Sequence, residues 1–279
     1  MTPDVALIPF ATRLLSGADP YALAISAPYA LALGAVAAEV AWLSRGQGRR
    51  RVLPATATAT GMAAGALVVG LVYTPLLRFL WAAVATQRLE PAADLWRAHP
   101  VLGAAVAFVA WDLSGWVYHV VGHRTRVGWA AHQAHHSGQE FDLTLGLRQT
   151  WFPFHGLVHQ PLLALAGFDL RVIFVCAAMS NCWQLLEHIS LPLRFPRWLE
   201  AAVMTPAAHR HHQARDARPV NLGPVLTVWD RLAGTWVAPD APAPTAYGPA
   251  APAPANPVTL ELAGWRHLTR RHGQPSLAR

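Results

Sequence analysis

Charge is what this sequence lacks most. Charged side chains make up 13% of its 279 residues. An average soluble domain carries roughly 25%, so there is too little charge here to cover the surface of an ordinary soluble enzyme. Disorder is excluded as well, because it goes with low hydrophobicity and 53% of these residues are apolar. Cysteine is nearly missing. Cys176 and Cys182 both lie inside an apolar stretch, which argues against a disulfide framework and against a cysteine-based zinc site. Acids number 15 against 22 basic residues, for a formal net charge of +7. With so much apolar sequence, that balance suits a membrane with anionic lipid and not a nucleic-acid duplex. The start of the chain carries Asp4 and no basic n-region, so no cleavable signal peptide is expected. No internal repeat of fixed period is evident.

Long apolar runs are what is abundant. Residues 21–43 contain one charge, Glu39, and are long enough to cross a bilayer core of about 30 Å at about 1.5 Å per residue. A second run covers 53–85, interrupted by Pro75 and Arg78, and a third covers 100–121 with a single acid, Asp112. A fourth apolar region, 152–189, is broken at Gly167-Phe168-Asp169. Its first arm is short for a full crossing, so a helical hairpin that enters and leaves on one side fits better than two spans. The fold class expected is therefore all-α: a polytopic membrane helical bundle of about three full spans plus a hairpin, with a histidine-rich cytoplasmic cap. The short basic loop holding Arg45, Arg49, Arg50 and Arg51 should be cytoplasmic, which puts the end of the third span, with Arg124 and Arg126, on the same side. The domains expected are an N-terminal transmembrane region (1–98), a histidine-box region (99–238), a Pro/Ala-rich linker (239–257) that should be extended and semi-rigid, and a basic C-terminal tail (258–279). The tail reads equally as an interfacial helix on the headgroups or as a frayed end.

Histidine is the second excess. Eleven of the 14 histidines fall between positions 119 and 212. His119 and His123 are four apart and share a helical face. His132, His135 and His136 also share one, and so do His155 and His159; His188 stands alone, and His209, His211 and His212 close the set. Neutral imidazole is a good ligand for iron, zinc, copper and nickel. So many ring nitrogens near one membrane face would serve two metal ions. Any one i, i+4 pair is weak evidence: His155 could be an interfacial residue and His188 a hydrogen-bonded core residue. His99, His267 and His272 read as surface residues. The set following one span is much harder to dismiss. Among the sparse acids, Asp112, Glu187 and Asp230 are candidates to orient the far nitrogen of a ligand or to pair with a local arginine.

The run HVVGHRTRVGWAAHQAHHSGQEFDLTLGLRQTW, with NCWQLLEHISL, TPAAHRHHQARD and NLGPVLTVWDRLAGTW further on, resembles the fatty acid hydroxylase or sterol desaturase superfamily, closest to its alkylglycerol monooxygenase-like bacterial branch. The resemblance covers about residues 100–237. It implies an integral-membrane centre of two histidine-ligated irons, with zinc able to replace iron in purified protein. Such a centre would use O2 and two electrons to hydroxylate an unactivated C–H of a lipid. Desaturation, ether cleavage and carotenoid-ring hydroxylation are alternatives within the superfamily. The ligands implied are His119, His123, His132, His135, His136, His159, His188, His209 and His212, with His155, His211 and Gln213 as secondary candidates. His159 is a looser match, because Gln160 separates it from Pro161.

The third box departs from the family's H-x-x-H-H. Read without a gap, His209-Arg210-His211-His212-Gln213 puts Gln213 where the last histidine should be, and the flanking Thr205-Pro206 and Arg215-Asp216 support that register. With a one-residue deletion, His211 and His212 would form the pair instead. Gln213 is the weakest point of the pattern, since an amide oxygen binds iron less well than imidazole does. The partners implied are a lipid substrate, membrane lipids and an external electron donor, a ferredoxin or a cytochrome b5-like protein with its reductase, at a bacterial inner membrane with the metal site facing the cytoplasm. A metal transporter fits less well, since transport sites lie near the midplane on broken helices. A catalytically impaired scaffold has only Gln213 in its favour.

Overall fold

Three long helices arise from the three apolar runs. The computed structural model describes residues 20–269 apart from 153, 216 and 217. In it, α1 covers Pro20–Gly46 and α2 covers Arg49–Ala85; after the short α3 (Glu90–Ala98), α4 covers Pro100–Arg124. All three long helices are apolar and long enough to cross a membrane. Their outer faces expose Leu31, Leu67, Val72, Phe79 and Val101, a surface that belongs in hydrocarbon. The chain is an all-α integral membrane protein, and among the described residues the only β-pairing is two isolated bridges.

Pro75 and Arg78 interrupt the second apolar run but not its helix. Proline removes the donor that would reach the Leu71 carbonyl. Thr74 Oγ1 donates beside it, to Gly70 O at 3.0 Å, the hydroxyl compensation that lets proline sit in a membrane helix.

The fourth apolar region folds back on itself. A π-helical turn (His155–His159) leads into α6 (Gln160–Leu165), and α7 (Leu170–Leu186) returns. The reversal needs Gly167: its φ is +87°, and a Cβ there would stand 2.7 Å from Ala93 N. Asp169 then caps α7, accepting from Arg171 N at 2.8 Å. Leu89 N donates to Leu165 O at 2.9 Å and Trp96 Nε1 to Ala166 O at 3.2 Å, which ties the hairpin tip beside the start of α4. The hairpin thus begins and ends at the histidine end of the bundle and reaches through to the other. Ala107 and Trp111 of α4 pack with Leu163, Phe168 and Ile173 of the hairpin, and Ala32 and Val36 of α1 pack with Cys182 and Leu185 of α7. Small residues at these contacts bring the helix axes close.

Past α4 the chain builds the cap. It comprises α5 (Arg126–His132), the 3-10 turns His135–Ser137 and Leu143–Leu147, α8 (Arg197–Ala202), α9 (Pro206–His212) and α10 (Val228–Ala233). Thr125 caps α5 by accepting from Gly128 N at 3.0 Å, and Thr205, followed by Pro206, caps α9 through Ala208 N at 3.4 Å. An ion pair between Arg51 and Glu140 joins the basic first turn of α2 to the cap, so both stand at one end of the bundle.

The described part of the C-terminal segment, up to residue 269, packs on the cap. The Pro/Ala-rich stretch crosses the cap, accepting from Arg215 at Tyr247 O (3.1 Å) and Gly248 O (2.9 Å) and from Thr58 Oγ1 at Ala255 O (2.7 Å). It ends in α11 (Pro257–Thr269). Leu260 packs there on Met62 and Ala134. Buried Glu261 Oε1 accepts from Thr150 Oγ1 (3.0 Å), Trp151 N (3.3 Å) and Trp265 Nε1 (2.9 Å). The tail residues Arg270, Arg271 and His272 lie outside the described residues. Glu261→Ala strands these buried donors, and thermal unfolding in detergent should show a loss of about 1–3 kcal/mol; a melting curve equal to the parent's would refute this account of how α11 is held.

Candidate metal centre

Four segments bring the histidines together. The last turns of α4 supply His119 and His123, and α5 with the first 3-10 turn supplies His132, His135 and His136. The end of α7 leads to His188, and α9 carries His209 and His212. They divide into two groups. One ring nitrogen from each of His119, His123, His132, His136 and His212 lies within 4.8 Å of the others, and His135, His188 and His209 meet the same condition.

Within each group the Nε2 atoms face one another. His132 Nε2 is 3.0 Å from that of His119 and 3.1 Å from that of His136. His188 Nε2 is 3.2 Å from that of His135 and 3.1 Å from that of His209. The opposite nitrogens explain the orientation. Nδ1–H donates to Leu222 O from His119 (2.9 Å), to Gln184 O from His188 (2.8 Å) and to Val220 O from His212 (2.9 Å). A neutral imidazole has one N–H, so each of these Nε2 atoms is a bare lone pair. Buried His123 Nε2 and His212 Nε2 have no hydrogen-bond partner among the described residues. Lone pairs gathered this closely repel one another and suit a shared cation. Eight imidazoles are a donor set for transition metals such as zinc, copper, iron and nickel.

Burial also fixes the protonation state. It pushes His132, His135, His136, His209 and His212 well below the ordinary 6.5, with the neighbouring imidazoles adding to the effect. All five are neutral, hence ligand-competent, near pH 7.

The three acids act differently from one another. Glu187, 1% exposed, places Oε2 3.5 Å from His209 Nδ1. Among the described residues Asp112 and Asp230 make no hydrogen bond to a histidine ring and no ion pair with an arginine; they hold the loop that meets His119. Asp112 accepts from Val225 N (2.9 Å), Leu226 N (3.2 Å) and Trp229 Nε1 (2.7 Å). Asp230 accepts from Leu222 N (3.0 Å), Gly223 N (2.7 Å) and Thr235 Oγ1 (2.6 Å). The loop lies against α4 at Gly115, where a Cβ would come within 2.7 Å of Pro224 Cγ. Its Leu222 carbonyl receives the His119 proton, so both acids orient that ring through the backbone.

Other expected positions fall elsewhere. His159 stands outside both groups, its ring edge-on to Trp111 and Tyr118 with centroids 6.0 and 5.4 Å away. The π-helical turn sets the ring on an aromatic shelf. His211 also lies outside them, in a cleft with Arg218 and Val237, while Gln213 is buried against His135. The side chain of His155 lies outside the described residues.

Two residues gain roles that local sequence did not signal. Asn221, at φ +53°, joins α9 to the segment at Val237 by donating to Ala208 O (2.7 Å) and Val237 O (2.9 Å). Glu39, noted only as the lone charge of the first run, accepts from Leu143 N (2.7 Å) and from Ser190 N and Oγ (both 2.6 Å). It thereby ties α1 to the segments beside both His135 and His188.

A cavity of about 350 Å³ opens from the histidines between α1, α4 and α7. Ala32, Leu33, Trp111, Tyr118, Leu147 and Leu185 give it apolar walls, and Tyr29, Gln149, Ser180, Asn181 and Gln184 add neutral polar groups. Asn181 Nδ2 donates to Tyr29 Oη at 3.1 Å. Among the described residues the lining carries no aspartate, glutamate, lysine or arginine.

Residues 104–235 match the family model described as fatty acid hydroxylase. Among curated proteins the chain is similar to alkylglycerol monooxygenases: 30% identical over 139 residues to that of Danio rerio, 29% over 136 to that of Xenopus tropicalis, and 26% over 145 to the human protein. These alignments take in 47–49% of this chain but 30% of each relative, so the chain spans under a third of the curated relatives it matches. No solved structure matches it.

The buried histidines predict a pH dependence. Their folded pKa values lie below the unfolded 6.5, so on acidification the unfolded chain takes up protons that the native state does not. Stability of metal-stripped protein should therefore be constant above about pH 7.5 and fall steadily as pH drops below about 6.5. Denaturant midpoints between pH 5 and 8 would measure this, and a flat profile would contradict it.

Proposed function

Residues 104–235 belong to the fatty acid hydroxylase superfamily, and on that premise we propose that the protein is a membrane-bound monooxygenase with two irons. It uses O2 and two electrons to hydroxylate an unactivated C–H bond of a lipid, leaving an alcohol and water. The observation that carries this reading is the convergence of eight buried or half-buried imidazoles in two groups at the inner end of an apolar cavity. Acid and base side chains cannot attack such a C–H bond; bound iron would supply the oxidising chemistry, and the protein binds and positions the lipid.

The first group, His119, His123, His132, His136 and His212, would hold one iron, and His135, His188 and His209 the other. Glu187 stands 3.5 Å from His209 Nδ1, and the loop braced by Asp112 and Asp230 orients His119. The cavity walls admit a hydrocarbon chain from between the helices and keep water away from the reacting carbon. The uncharged polar groups Tyr29, Asn181 and Gln184 suit a neutral headgroup, in keeping with the alkylglycerol monooxygenases to which the chain is similar. A phospholipid or a free fatty-acid anion would find no charge partner in that lining.

The basic loop around Arg51, joined to the cap through Glu140, supports a cytoplasmic position for the site, at the inner membrane of a bacterium. An electron donor, a ferredoxin or a cytochrome b5-like protein with its reductase, would approach the cap from that side.

Lipid extracts from cells with and without the protein test the reading. One lipid class should gain a single oxygen atom. Loss of two hydrogens instead would indicate desaturation, and release of a free glycerol with a fatty aldehyde would indicate ether cleavage. Identical lipid profiles under aerobic conditions would refute it. Ala32→Trp fills the cavity away from the ligands and should lower turnover at least about tenfold with metal content unchanged; full turnover would mean that the lipid binds elsewhere.

A further inference from the structure

The two donor groups are unequal, with five imidazoles in one and three in the other. Gln213 stands at the poorer one. It is 3% exposed, and its amide nitrogen lies 2.6 Å from His135 Nε2 and 3.3 Å from His188 Nε2. The helix explains the placement. His209 and Gln213 are four residues apart at the end of α9 and share a face, so both turn to the second group, while His212 turns to the first.

An amide has two nearly isosteric faces, an NH2 that donates and an oxygen that accepts. Here the NH2 faces His135 Nε2, while the Nδ1 side of that ring meets the Gln149 amide at 3.4 Å and the Leu145 carbonyl. The terminal torsion of glutamine is broad and roughly twofold. A half-turn therefore presents the oxygen at the same place, where a cation held by His135 and His188 would meet it.

We propose that Gln213 Oε1 is the fourth protein donor of the second group, so that the chain holds one metal tightly through five imidazoles and one loosely through three imidazoles and an amide oxygen. The inference rests on the two-metal reading above and specifies how this chain differs within it. The cavity gives the asymmetry a direction. All three histidines of the second group line the cavity, against two of the five in the first. The loosely held metal is thus the one turned toward the lipid, and an amide that can swing aside is the donor most easily displaced there.

Anaerobic titration of metal-free full-length protein in nanodiscs with Fe(II), following bound metal by elemental analysis, is the test. The parent should bind in two phases, one equivalent tight and one weak. Gln213→His should tighten the second phase by about tenfold or more and leave the first unchanged. Gln213→Leu should weaken or abolish the second phase while the first keeps its full equivalent, which also reports that the variant is folded. Co(II) in place of Fe(II) should show a changed visible spectrum for the second equivalent only in Gln213→His. Equal affinities in the parent, or a second phase unaltered in Gln213→Leu, would overturn the asymmetry and leave the metal centre standing. No binding at either position of the parent would overturn the metal centre itself.

Discussion

The arrangement depends on anchoring one side of each imidazole so that the other side is left bare. Burying a ring nitrogen without a partner costs free energy, and here several converge with Nε2 atoms 3.0–3.2 Å apart. The native fold tolerates this because backbone carbonyls of Gln184, Val220 and Leu222 fix the rings from behind. Those carbonyls are in turn fixed by buried polar side chains. Asp112 and Asp230 brace the loop that offers Leu222, and Asn221 stitches that loop to α9 and to Val237. Much of the buried polarity of the cap makes sense as support for rings that would otherwise rotate toward other partners.

The membrane frame fulfils a different need. Three long apolar helices and a hairpin supply walls without contributing charge, and they end at the level where the cap begins. Histidines at the ends of α4 and α7 stand at the boundary between hydrocarbon and cap. Rings held there can face an apolar cavity on one side and a polar, hydrogen-bonded scaffold on the other. A site at the midplane would lack that scaffold, and a site on the cap surface would lack the cavity.

What the sequence made legible was local. Hydropathy marks the spans because a helix crossing hydrocarbon must be apolar along its length. Four-residue spacing marks His119 with His123 and His132 with His136 because helical geometry puts such pairs on one face. The break at Gly167 shows because a tight reversal beside Ala93 tolerates no side chain. Spacing could not separate His159 from the others, since the same interval serves a ligand or a ring lying against Trp111 and Tyr118. The bracing by Asp112, the docking of α11 through Glu261 and the approach of Gln213 to His135 join residues that are distant in the chain. No window of sequence carries those contacts; they exist only once the bundle has formed.

Glu39 carries a consequence beyond packing. One carboxylate near the end of α1 receives protons from Leu143 and Ser190, close to the turn that orients His135 and just beyond His188. A lipid-facing helix and the backbone on two sides of the three-histidine group thus share a single carboxylate, and whatever fixes the place of α1 in the bilayer also fixes those two segments.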